Sequence, residues 1–597
     1  MRSNLAGLIS TTILCGGALA GCAAGGQAAP RVAATETPAM WADSVLATLS
    51  LRDKAAQMVW PTILGEFAPD DAAAWTRIEA QLALGVGGYT ISVGSPTEIA
   101  AKLNAMQRAA RVPLLFGADL EFGTGFRARG GYFLPNGIDL GGAVLFPQQM
   151  AVGATGDTTL AYEQGRVTAL EGRAIGIHIA YAPLLDVNNN PANPVINTRS
   201  YGEDPALVGR LGASFVRGLQ AHGMIATGKH FPGHGDTEVN SHLALPTVNV
   251  SRARLDSVEL PPFRAAIAAG VGAIMSFHGA MPALDPSGAP GTLSRPVLTG
   301  LLREELGFDG LIISDAMDMR GVLDQFGAVE ATKRAVAAGA DILIQPDSVA
   351  GMIDAIVAGV TEGRYDEARL DASVRRILAA KAEMGLDRDR EVPLTGVRSA
   401  VGTADAIATA GKVADRSITL ARDVGRRVPL AVPQGQRVLS ITYARRPDLG
   451  AGTTFDAELR RGIPGARTLF IDAEHPATDW ARVRAMADSA DVVIVGSYMG
   501  QRWDAVSAGA PRAFADFVRG LVDRGKDPIV VAFGNPYLLQ QLPDLRTYLV
   551  AWGGIPASQS AAARALVGEI PIQGKLPIAI PGLAPIGTGE TRTANRP

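Results

Sequence analysis

Met224-Ile-Ala-Thr-Gly-Lys229-His230-Phe-Pro232-Gly233-His234-Gly235-Asp236-Thr-Glu-Val-Asn240-Ser-His242 is an apolar run that ends in a loop crowded with titratable groups. Residues 224–228 read as a short buried strand. Pro232, Gly233 and Gly235 then forbid a regular helix and predict a loop. Three of the chain's seven histidines fall in this loop, behind a lysine. So many titratable groups on one loop point to handling of a substrate.

The same pattern repeats on either side. Short apolar runs at 57–60, 87–92, 113–118 and 176–182 precede this stretch. Others at 272–277, 310–314 and 341–345 follow it. Helix-like segments lie between them, among them 97–110, 159–172, 206–222, 262–269 and 329–338. Eight strands, most followed by a helix, predict an α/β fold, a (β/α)8 TIM-like barrel with extended loops. A doubly wound open sheet is the alternative, because counting strands does not prove closure. In a barrel, reactive groups sit at the C-terminal strand ends. Asp119, Asp186, Lys229, His230, His278 and Asp315 each follow an apolar run there. An isolated Asp in such a place is commonly a cap, but five strands ending this way predict one polar pocket. Asp315 fits a nucleophile, a metal ligand or the N-cap of the next helix. Asp318, nearly one turn on, fits the acid that complements a helix dipole.

At 597 residues the chain exceeds one typical domain. Residues 388–424 read as a linker and a helix, the helix spanning about 404–422. A second strand set at 437–443, 468–471, 491–496, 528–533 and 548–552 predicts a smaller three-layer α/β sandwich over 425–583, with a flexible tail at 584–597. The formal charge of -3 gives no case for a nucleic-acid partner. The two cysteines are Cys15 and Cys22. Arg2 and the apolar run behind it read as a signal peptide over 1–21. Leu19-Ala20-Gly21-Cys22 resembles a bacterial lipobox, with Cys22 as the acylated residue and 22–38 as a flexible tether. The only membrane contact expected is therefore an N-terminal lipid anchor on an exported protein.

The run Lys229–His242, with Ser314-Asp-Ala-Met, resembles glycoside hydrolase family 3, in its bacterial β-N-acetylglucosaminidase branch. Trp41-Ala-Asp-Ser-Val-Leu, Asp119-Leu-Glu, Asn197-Thr-Arg-Ser-Tyr-Gly-Glu-Asp-Pro205, Phe533-Gly-Asn-Pro-Tyr and Gly574-Lys-Leu-Pro-Ile add to the resemblance along the chain. The resemblance implies a catalytic barrel over 39–387 and a retaining double displacement. Asp315 matches the nucleophile and His242 the acid/base. Asp119, Arg127, Arg199, Lys229 and His230 match sugar-binding residues. No cofactor is implied. The implied substrate is a small carbohydrate carrying terminal N-acetylglucosamine, in a muropeptide or a chitin oligosaccharide. The branch usually has Asp-Ser-His, where this chain has Asn240-Ser241-His242. Asn240 orients the ring without charge, and Asp236 or Glu238 is expected to supply the missing carboxylate.

Three other readings compete. A zinc hydrolase on His230, His234 and His242 suffers because the spacings cross Pro and Gly, so no helix presents a ligand pair. A β-glucosidase or β-xylosidase of the same family is disfavoured by the loop histidine. A dead sugar-binding lipoprotein is disfavoured because both catalytic candidates are present. Arg502, Trp503 and Trp552 are candidates to extend the pocket, with a core role the plainer reading for the tryptophans.

Overall fold

The computed structural model describes residues 37–132, 138–433, 435–445, 448, 450–472, 477–500 and 509–595. Cys15, Cys22, Arg502 and Trp503 lie outside the described residues.

In chain order the first strands are β1 (Val59–Trp60), β2 (Thr62–Ile63), β3 (Gly88–Ile91) and β4 (Leu115–Ala118). A hairpin, β5 (Arg129–Tyr132) and β6 (Ile138–Gly142), is inserted next. Then come β7 (Ile179–Ala180), β8 (Ile225–Phe231), β9 (Ala273–Ser276), β10 (Leu311–Ile313) and β11 (Leu343–Ile344). Seven of them form a curled parallel sheet in the order β10-β9-β8-β7-β4-β3-β2. Ile313 bridges Ile342 in parallel, and β11 pairs in parallel with β1. Every residue of β3, β4, β8, β9 and β10 is buried, as expected for parallel strands covered on both faces. The observed strands of this sheet fall within the expected runs except at β2, which lies just past the run at 57–60, and at β8, which continues through Lys229 and His230. The hairpin was not expected.

Local sequence explains the helices between strands. Asp204 accepts from the Ala206 N–H at 2.9 Å and Pro205 occupies the first turn, so the helix Pro205–Gln220 starts there. Its buried face includes Val208, Leu211, Phe215 and Leu219, at helical spacing. That face packs across the helices Thr158–Ala174 and Leu260–Ala268.

The second sheet contains β12 (Thr419–Asp423), β13 (Val438–Tyr443), β14 (Arg467–Ile471), β15 (Val492–Ser497), β16 (Ile529–Ala532) and β17 (Thr547–Val550). Its order is β12-β17-β16-β15-β13-β14, parallel except for β12. The helix expected to reach residue 422 ends at Ser417 instead. Thr419–Asp423 turns into an edge strand because it finds antiparallel pairing with β17. Residues 584–595, expected as a flexible tail, are also tied down. Glu590 bridges Leu420, and Arg592 Nη2 donates to the buried carboxylate of Asp423 at 2.9 Å. The loop beyond β16 meets the segment that follows β7. Asn188 Nδ2 donates to the Tyr537 hydroxyl at 2.9 Å, and Asn197 Nδ2 donates to Asn535 Oδ1 at 3.4 Å.

Phe215 is fully buried, so Phe215→Ala is expected to lower stability by about 3–5 kcal/mol in urea denaturation.

Candidate active site

The strand ends of the first sheet open into a cavity of about 930 Å³. Lys229, buried within β8, sits at the centre of an ion ladder. Its Nζ donates to Asp119 Oδ1 at 2.9 Å and lies 2.7 Å from Glu121 Oε1. Arg127 Nη2 donates to Asp119 Oδ2 at 2.6 Å. Arg199 grips Glu121 with two bonds, of 2.9 and 2.6 Å. Burial opposes ionisation of Asp119, but Lys229 and Arg127 outweigh it and hold the carboxylate below its ordinary range. Burial likewise pulls Lys229 down, and Asp119 and Glu121 more than restore it. Three cationic side chains thus face two carboxylates. Asp119, Arg127, Arg199 and Lys229 all lie in this ladder. Glu121 was missed; its signal was its place two residues after Asp119, on the same turn out of β4.

Asp186 organises the loop that follows. Its carboxylate is fully buried and accepts the His230 N–H at 3.2 Å, His230 Nδ1–H at 2.8 Å and the His234 N–H at 2.7 Å. That tautomer leaves His230 Nε2 for the cavity. Gly235 lets the loop pass close to the first sheet, since an added Cβ would lie 1.7 Å from Val187 O. At its far end, Asn240 Oδ1 receives both the His242 N–H at 3.0 Å and His242 Nδ1–H at 2.9 Å. Two donors converging on one oxygen fix the ring and turn Nε2 to the cavity that His242 lines. Burial pulls the His242 pKa below the ordinary imidazole value; Asp315 opposes this, and Arg199, His230 and His278 add to it. Asp236 does not reach this pair. It is engaged by Arg254 at 3.5 Å and by Asn190 Nδ2 at 3.4 Å, because Arg254 is the strong cation on its side of the loop. Glu238 is exposed.

Asp315 follows β10 and lines the same cavity. The Ala316 N–H donates to its Oδ1 at 2.8 Å. His278, two residues past β9, supports its neighbour: Nε2–H donates to Ala316 O at 2.9 Å, and Nδ1 takes the Thr292 hydroxyl at 2.7 Å. Burial raises the Asp315 pKa, but the fields of His278, His230 and His242 prevail and hold it below the ordinary carboxylate value. Asp318 also lines the cavity, and burial pushes its pKa up. The helix beyond begins at Arg320, so Asp318 precedes it.

The second sheet contributes to the wall. Arg445, after β13, and Gly553, Gly554 and Ile555, after β17, line the cavity. None of these four was singled out from sequence. Trp552 is not part of the wall. It is fully buried, and its Nε1–H donates to Ser417 O at 2.8 Å. An ionised carboxylate and an oriented imidazole thus share one cavity beside a ladder of hydrogen-bonding charges. Such a site can perform nucleophilic displacement with proton transfer on a polyhydroxylated ligand.

Residues 50–380 match the family described as "Glycosyl hydrolase family 3 N terminal domain". A "Beta-N-acetylglucosaminidase/beta-glucosidase" of Cellulomonas fimi is 31% identical over 528 residues, which is 83% of this chain and 88% of that protein. "Beta-hexosaminidase A" of Pseudoalteromonas piscicida is 32% identical over 420 residues, 63% of this chain and 68% of that protein. A solved glycoside hydrolase family 3 β-N-acetylglucosaminidase from Paenibacillus sp. str. FPU-7 superposes with a TM-score of 0.78. It is 34% identical, and the match covers 89% of this chain and 99% of that one.

Glu121→Gln leaves Lys229 and Arg199 short of a buried counter-charge and is expected to cost about 3 kcal/mol in urea denaturation. Adding Lys229→Met to it is expected to cost less than the sum of the two single changes.

Proposed function

The chain belongs to glycosyl hydrolase family 3, and from that premise we propose that it is a retaining, exo-acting β-N-acetylhexosaminidase that removes terminal β-linked N-acetylglucosamine. The observation that carries this reading is the pairing of Asp315 with His242 in one cavity, the latter held by Asn240 with Nε2 turned inward. Asp315 attacks the anomeric carbon while His242, as imidazolium, gives its Nε2 proton to the departing oxygen. The bond to the aglycone breaks and a glycosyl ester forms on Asp315. Neutral His242 then takes a proton from water. The hydroxide oxygen displaces the Asp315 carboxylate, and the sugar leaves with its original configuration. The ion ladder binds the sugar: Asp119 accepts from hydroxyls, while Arg127, Arg199, Lys229 and His230 complete the cradle.

The pairings from β1 round to β11 support reading the first sheet as a closed (β/α)8 barrel. The six-stranded sheet supports a second α/β sandwich domain, which contributes Arg445 and Gly553–Ile555 to the site. Leu19-Ala20-Gly21-Cys22 supports a lipid anchor on Cys22 and a place at the cell envelope, facing N-acetylglucosamine of muropeptides or chitin fragments. Palmitate labelling that disappears in Cys22→Ala is the expected result; an unlabelled wild type contradicts the anchor.

A relative named for both activities makes β-glucoside hydrolysis the second reading. The p-nitrophenyl β-N-acetylglucosaminide is expected to be turned over with higher kcat/KM than the β-glucoside, and the reverse order overturns the assignment. The pH profile tests the acid. His242 loses its proton as pH rises through its pKa, and burial sets that pKa low. The alkaline limb of kcat/KM is therefore expected below the ordinary histidine range. Asn240→Asp adds a carboxylate that favours imidazolium, so it is expected to move this limb to higher pH. Superimposable profiles refute the role given to Asn240.

A further inference from the structure

One loop histidine has no part in the reaction as described, yet its contacts are the most complete in the loop. His234 is buried, and its backbone N–H is bound by Asp186 at 2.7 Å. Ring nitrogen Nδ1 lies 3.0 Å from Thr237 Oγ1, and Nε2 lies 2.9 Å from Ser241 Oγ. Thr237 is itself held, because Asn193 Nδ2 donates to its Oγ1 at 3.2 Å and to His234 O at 2.8 Å. The ring packs on Phe277 with centroids 4.3 Å apart, and edge-on to His230 at 5.7 Å. Ser241, at the other end of the clamp, is buried between Asn240 and His242. Beyond the loop, Gly321 leaves room for it: an added Cβ would lie 3.0 Å from Ser241 O and 2.9 Å from Ala244 C. The segment carrying the acid/base is therefore held by one ring on its inner side and by a side-chain-free position on its outer side.

We propose that His234 is a positioning residue, an imidazole bonded at both ring nitrogens that clamps Ser241 and so sets where the Asn240–His242 pair stands. Burial first, and His230 second, push the His234 pKa down to about 3, so the ring stays neutral through the working range. A neutral ring holds one proton and one lone pair, and a hydroxyl serves either. Both bonds therefore persist in either tautomer, and the clamp does not titrate with His242. The ring lines the same cavity as Asp315 and His242, and its two nitrogens are engaged by Thr237 and Ser241. It acts through the geometry of the proton transfer, where a misplacement of about 1 Å is worth about a hundred-fold in rate.

This inference rests on the hydrolase reading, and the test separates the two. Kinetics are measured on the phenyl and 2,4-dinitrophenyl β-N-acetylglucosaminides, with folding of each variant checked by its urea midpoint. Phenol must be protonated to leave; dinitrophenolate leaves unaided. A glutamine amide reaches the place of Nε2, whereas an asparagine amide reaches only that of Nδ1. His234→Asn and Ser241→Ala are each expected to lower kcat on the phenyl glycoside about ten- to hundred-fold, with KM little changed. Their loss in kcat/KM on the dinitrophenyl glycoside is expected to be much smaller. His234→Gln is expected to lose less than His234→Asn, and the His234→Asn/Ser241→Ala double variant no more than its worse parent. Equal losses on both glycosides, glutamine no better than asparagine, or a double variant that loses the product of the two effects each overturns the proposal. A folded wild type inactive on both glycosides sinks the hydrolase reading itself.

Discussion

The buried carboxylate of Asp186 is the constraint from which the site follows. Removing an ionised carboxylate from water is costly unless it is fully hydrogen-bonded. Here three N–H groups meet it, two from His230 and one from His234. Burial works against its ionisation, and the histidines nevertheless keep its pKa low. One side chain thereby holds the end of β8, the tautomer of His230 and the start of the loop that ends at His242. Lys229, one residue before His230, is placed by the same strand end against Asp119 and Glu121.

The two halves of the site use charge differently. The ladder of Asp119, Glu121, Lys229, Arg127 and Arg199 is interlocked by ion pairs, so its charged groups are held in place before a ligand arrives. The reacting pair is sparse. Asp315 accepts the Ala316 N–H and lies in the fields of three imidazoles. His242 has a neutral partner in Asn240, and the carboxylate that acts on it most is Asp315 itself. In the mechanism we propose, that charge is lost when Asp315 becomes an ester, which favours neutral His242 at the stage where it accepts a proton. On that reading Asn240 leaves the tuning of the acid to the nucleophile.

Much of the fold was legible because buried parallel strands are apolar runs, and each run ends where polar residues begin. Leu311–Ile313 followed by Asp315 is the plainest case. The hairpin Arg129–Tyr132 and Ile138–Gly142 escaped notice because its glycines erase the alternation that marks a strand. Thr419–Asp423 escaped because it continues an amphipathic helix in sequence and becomes a strand only by pairing with distant residues. The site followed the same rule. Strand-end residues such as Lys229 and Asp315 were readable from position. Arg445 and Gly553 were not, because their place depends on how the second sheet packs over the first. Asp236 lay close to His242 in sequence, yet the loop turns it toward Arg254.

The nucleophile is tested most directly by trapping the enzyme with a 2-fluoro or 5-fluoro glycosyl fluoride and identifying the labelled peptide by mass spectrometry. A single covalent sugar on Asp315 is expected, with its formation abolished in Asp315→Ala. A label on another carboxylate, or turnover of the natural glycoside with no covalent adduct and with inverted configuration, would contradict it.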